Sequence, residues 1–150
     1  METTQQPIDR LSFLCATLPD MISKIPEQEF SFKPLPDKWS KKEILGHLID
    51  SAANNHQRFV RIQYEQEPVI FYDQNEWNKL HHYNELNSGQ LIQFWKMYNE
   101  HLVNLLKRIP RENMDRKGVS RNGERQPLGW YISDYVVHME HHLKQIVDNY

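Results

Sequence analysis

A chain of 150 residues suits one domain built around a single core. It is polar for a globular protein, 39% hydrophobic and 25% charged, with four Trp, seven Tyr and six Phe to fill that core. A formal net charge of −2 gives no electrostatic footprint for nucleic acid or an anionic membrane, and only five glycines disfavour a turn-rich all-β fold.

No apolar run approaches the ~20 residues that cross a bilayer. The polar stretch from Met1 to Pro7 lacks the basic and apolar parts of a signal peptide. Cys15 is the only cysteine, so no internal disulfide forms, and a cytoplasmic location is expected.

Leu11, Leu14, Cys15, Leu18, Met21, Ile22 and Ile25 predict a first amphipathic helix from about Pro7 to Ile25. Pro7 fits its first turn, whereas Pro19 is expected to kink or split it. Cys15 lies on the apolar face with no cationic neighbour, as a small buried hydrophobe does. Pro26, Pro34 and Pro36 then predict an extended linker up to Lys38.

The second helix has the clearest start. Ser40 and Glu43 have the spacing of a capping box, and Trp39 with Ile44 that of a hydrophobic staple. Ile44, Leu48, Ala52, Phe59 and Ile62 form its buried stripe. Along one flank runs a polar row, His47, Ser51, Asn54 and Arg58, which reads either as a wet helix edge or as the wall of a polar pocket.

Residues 65 to 86 show no clear period and are expected to be a long connection whose aromatics pack on the bundle. His81 and His82 lie in it with nothing to fix their direction. A third helix is expected from Asn87 or Ser88, where Asn87 and Gln90 resemble a capping box, to the stop at Pro110. Leu91, Phe94, Trp95, Tyr98, Leu102, Leu105, Leu106 and Ile109 form its stripe, with His101 just off it. Residues 111 to 126 read as a loop, with a short hairpin around Asn122-Gly123.

The fourth helix is expected from about Pro127 almost to Tyr150. Ile132, Val136, Met139, Leu143 and Ile146 mark its buried face. His138 and His142 stand one turn apart on one edge of that face, whereas His141 points away. Glu140 is expected in solvent. Asp134, one turn before His138, reads either as a residue that orients a ligand or as an ordinary first-turn acid.

Four amphipathic helices without strand periodicity predict an all-α four-helix bundle over residues 1–150, a single domain. If the second and fourth helices run antiparallel, His47 comes level with His138 and His142. The long connection permits this as an up-down-down-up bundle, with a crossover between helices two and three. Three neutral imidazoles with open positions suit a catalytic divalent metal, zinc above all, which lowers the pKa of bound water or thiol. The bland alternative is three histidines satisfied at a core edge. No HExxH occurs, so the zincin protease pattern is absent.

Trp39-Ser40 followed by Glu43-Ile44-Leu45-Gly46-His47-Leu48-Ile49-Asp50-Ser51 resembles the second-helix motif of the DinB/YfiT-like metalloenzyme family. Gly129-Trp130, Asp134-Tyr135, His138 and the run from His141 to Ile146 look like its C-terminal motif, and Asp73, Trp77 and Tyr83 are similar to its YfiT-like branch. The resemblance implies a four-helix bundle with a crossover. It also implies a metal held by His47, His138 and His142, zinc or nickel as that metal, and a homodimer. Among the family are S-transferases that use low-molecular-weight thiols and a thiol-dependent isomerase.

The function expected is therefore metal-dependent thiol S-transfer on a small-molecule substrate, with Arg58 and Asn54 as candidates for an anionic part of the thiol. Metal-dependent hydrolysis and a non-catalytic stress-response binding protein are the alternatives.

Overall fold

The computed structural model describes residues 4–150. Its long helices are α1 (Gln5–Ser23), α3 (Lys41–Arg61), α5 (Ser88–Leu106) and α6 (Leu128–Ile146). Shorter ones are α2 (Glu27–Phe30) and α4 (Gln74–His81), and strands β1 (Lys117–Val119) and β2 (Arg125–Pro127) form one antiparallel hairpin.

In the bundle, α1 packs on α5 and α6, and α3 also packs on α5 and α6, so α1 and α3 stand on a diagonal. Named contacts fix the directions. Ser40 Oγ donates to Asn84 Oδ1 (2.6 Å) at the heads of α3 and α5, and His56 Nδ1 lies 2.8 Å from the Tyr98 hydroxyl further down both. These two helices therefore run the same way. On the other side, the His47 and His142 rings meet at 4.7 Å while Arg58 covers the Tyr131 ring at 4.6 Å, so α3 and α6 are antiparallel. Arg10 Nη2 reaches Glu140 Oε1 at 2.6 Å and Thr4 lies beside Gly129, so α1 follows α6.

The core follows the predicted stripes. Leu11, Leu14, Leu18, Ala52, Phe59, Trp95, Leu102 and Leu143 are all shut off from solvent. Tyr135 of α6 reaches through the core to donate to Asn99 Oδ1 of α5 (2.5 Å), which satisfies two buried polar groups at once. Cys15 is buried, as its face predicts.

Several details depart from the sequence reading. The first helix is not split at Pro19, whose missing N–H costs one bond, and Ser23 Oγ donates to the Pro19 carbonyl (2.7 Å) one turn later. The proline-rich linker contains a helical turn, α2, that places Phe30 in the core. The long connection contains α4, capped by Asp73 Oδ1 on the Glu76 amide (3.0 Å), and a 3-10 turn, Tyr83–Glu85. Short helices of this kind are set by caps and tertiary contacts and leave too few turns for a period to show. Phe94, assigned to the buried stripe, is 50% exposed. Glu140, expected in solvent, forms the ion pair with Arg10.

The hairpin expected at Asn122-Gly123 is present, and Gly123 takes the left-handed backbone it needs (φ 82°). It also starts α6. No side chain caps that helix. Instead, Leu128 N donates to Arg116 O (2.8 Å) and Gly129 N to Met114 O (3.1 Å), so backbone carbonyls take up amides that a helix start leaves free.

Candidate metal centre

The capping box that opens α3 is complete. Glu43 N donates to Ser40 Oγ (3.0 Å) and Ser40 N to Glu43 Oε1 (2.9 Å). It fixes the helix start and thereby the height of His47, about two turns below it. His47 is 1% exposed, with the Trp39 ring 4.9 Å from its own. Trp39 therefore walls the histidine as well as flanking the helix start.

From α6, His138 and His142 bring their rings to 5.3 Å and 4.7 Å from His47 and to 4.6 Å from each other. One nitrogen from each of the three lies within 4.8 Å of the others. His141 points away and is exposed, as its place on the helix predicts.

The donor set fits a divalent cation. His47 Nε2 is buried with no hydrogen-bond partner, an atom that costs stability unless something binds it. Its other nitrogen, Nδ1, faces the Tyr72 hydroxyl at 3.5 Å. His142 Nδ1 lies 3.0 Å from Gln145 Oε1, which leaves Nε2 for a ligand role. Burial, with the neighbouring His142 and His138, lowers the pKa of His47 to about 3. Burial, with His142 and His141, lowers that of His138 to about 4. Both rings are neutral at pH 7, the form that binds metal.

Beside this cluster is a cavity of about 190 Å³. His47 and His138 form one end, and Ser51, Asn54, Arg58 and Asp134 line it further along. The polar row on α3 is thus a cavity wall. Asp134 faces Arg58 across α3 and α6, and among the described residues it makes no hydrogen bond to His138. It also lies beyond the first turn of α6, so it is no first-turn acid.

Arg58 is the cation of the cavity. Nη1 donates to Asn55 Oδ1 (3.2 Å), Nη2 to the Ile70 carbonyl (2.9 Å), and Nε is buried without a partner. No carboxylate oxygen pairs with it among the described residues, and burial lowers its pKa. A desolvated guanidinium whose hydrogen bonds go only to neutral acceptors keeps donor capacity for an anion, with the Asp134 charge across the cavity as its competitor.

Sequence reasoning missed Asn55, Phe71, Tyr72, Gln74 and Tyr135 as cavity residues. Asn55 was within reach, one turn after Ser51 on the same row. Phe71, Tyr72 and Gln74 come from the connection, whose lack of period gives no directional signal. The remaining histidines stay apart: His56 and His101 bring their rings to 5.7 Å, and His81 meets Asp50 and Tyr83.

The model of the DinB superfamily matches residues 10–146. The chain belongs to the DinB superfamily. This DinB protein is 26% identical over 143 residues to "Putative metal-dependent hydrolase" of Halalkalibacterium halodurans, a match that covers 95% of this chain and 83% of the relative. Its fold is similar to that of YfiT from Bacillus subtilis, with a TM-score of 0.86 at 21% identity, over 95% of this chain and 83% of that one. YfiT is described as "a probable metal-dependent hydrolase with an unusual four-helix bundle topology". The mycothiol-dependent maleylpyruvate isomerase is similar at a TM-score of 0.71 and 14% identity, over 93% of the DinB protein and 60% of the isomerase chain. No helix of the described residues is long and apolar enough to cross a membrane.

Proposed function

We propose that this DinB protein is a metal-dependent enzyme that activates a small thiol for S-transfer to an electrophile. The observation that carries the reading is the convergence of His47, His138 and His142 at the end of a polar cavity holding an unpaired guanidinium. A divalent cation held there, zinc or nickel, would act as a Lewis acid and lower the pKa of a coordinated thiol.

The protein's own groups would do the rest. Three imidazole ligands would leave a bound cation positions open to a further ligand. Arg58, with Asn54 nearby, would hold an anionic group of the thiol, and Asp134 would limit how far the guanidinium can swing. At about 190 Å³ the cavity is smaller than the ~300–1,000 Å³ of drug-sized ligand pockets, so it suits a head group while the rest of the substrate stays outside.

Hydrolysis is the second reading, favoured by the names of the relatives. The two separate by product. Metal-loaded protein would be incubated with an aryl halide or an activated ester, with and without mercaptoacetate. S-transfer predicts a thioether from the aryl halide with release of halide, or a thioester from the ester with release of its alcohol, formed only with thiol and lost in His47→Ala. An ester-cleavage rate indifferent to thiol would favour hydrolysis instead.

A further inference from the structure

We propose that Tyr72 and Asp50 are positioning residues behind the metal ligand His47, holding its ring so that Nε2 faces the cation and placing a buried carboxylate behind it. This rests on the metal reading above. If Nε2 takes a metal, the ring proton must sit on Nδ1, and Nδ1–H needs an acceptor. The polar atom facing Nδ1 is the Tyr72 hydroxyl, at 3.5 Å, the outer edge of hydrogen bonding. A cation on the opposite nitrogen makes Nδ1–H a stronger donor and favours that bond.

A hydroxyl that accepts from His47 still has its own proton to donate. Asp50 stands one turn beyond His47 on α3, 2% exposed, and its Oδ2 is buried without a partner. Its other oxygen is fully engaged: Tyr83 O–H donates to Oδ1 (2.5 Å), and His81 Nδ1 lies 3.4 Å away. A buried carboxylate with one free oxygen is expensive unless positive charge lies near, and a divalent ion at His47 supplies it.

The supporting parts are built in. Gly46, next to His47, has no side chain, and a Cβ there would fall 2.1 Å from the Tyr83 ring. Tyr83 can therefore lie directly on α3 and hold Asp50. Trp77 packs its ring edge-on against that of Tyr72, with centroids 5.5 Å apart.

The test is cobalt affinity, measured by chelator competition, for the wild type, Tyr72→Phe, Asp50→Asn and the double variant. Melting of each metal-free protein serves as the control for folding. Tyr72→Phe keeps the ring and removes only the hydroxyl. We expect it to lose ~10–100-fold in affinity with metal-free melting unchanged, and the double variant to lose less than the product of the two single losses. Affinity of Tyr72→Phe within about two-fold of wild type would overturn the proposal while leaving the metal site intact. Wild-type affinity no better than that of His47→Ala would remove the metal reading itself.

Discussion

The His47 ring stands 4.7 Å from the His142 ring and nearly perpendicular to it, at 76°. The two belong to helices that run in opposite directions, and only that arrangement sets a histidine near the head of α3 against one near the tail of α6. In parallel helices, residues so placed would sit at opposite ends. The topology of the bundle is therefore a condition of the site.

Packing these rings together has a pH consequence. An unfolded histidine titrates near pH ~6.5, whereas the folded values are about 3 for His47 and about 4 for His138. Between those limits the unfolded chain binds protons that the folded chain refuses, so stability rises with pH. The metal-free protein should have its full stability above pH ~6.5 and lose it steadily as the pH falls toward 4. Urea midpoints at several pH values check this, with His47→Gln giving a shallower dependence. Parallel curves for the two proteins would show that His47 carries no such linkage.

Arg58 should make the cavity choose among thiols. Cobalt-loaded protein is expected to bind mercaptoacetate at least ~10-fold more tightly than 2-mercaptoethanol, as a charge-assisted hydrogen bond allows. Arg58→Gln should erase the preference while leaving 2-mercaptoethanol unchanged. The charge-transfer absorption of the cobalt–thiolate bond reports both affinities.

How far the site could be read from residues alone depended on regular structure. His138 and His142 announce themselves by helical spacing, and the cap at Ser40 sets the height of His47 in advance. Ser51, Asn54 and Arg58 follow because one helix face carries them all. Tyr72 is different. It comes from the connection, where direction depends on contacts such as Ile70 N to Val119 O (3.1 Å) and the packing of α4 on α3. The same is true of Asp50, whose role depends on Tyr83 and His81 arriving from that connection. Helices α2 and α4 escaped for the related reason that one or two turns give no period.

The cap itself should be measurable. Ser40 is fully buried, bonds the Glu43 amide and also donates to Asn84. Ser40→Ala is expected to cost ~1–2 kcal/mol, at the upper end for a lost N-cap because a second, half-buried group, Asn84, also loses its partner. Chemical denaturation measures it, and a loss below ~0.5 kcal/mol would mean that water replaces the hydroxyl at both partners.

Gly46 should tolerate no side chain. In Gly46→Ala the new methyl would meet three atoms of the Tyr83 ring at 2.1–2.5 Å, and the ring has nowhere to withdraw without leaving Asp50. Overpacking of this kind costs ~1–3 kcal/mol. Pairing the change with Tyr83→Ala should recover part of the packing loss, which a double-mutant cycle on melting reads directly.

The central claim is that His47, His138 and His142 share one divalent cation. Protein purified without a polyhistidine tag and dialysed against zinc or nickel should retain about one equivalent of metal per chain. Each of His47→Ala, His138→Ala and His142→Ala should fall well below that, with helical content unchanged. Equal metal in the wild type and all three variants would contradict the account.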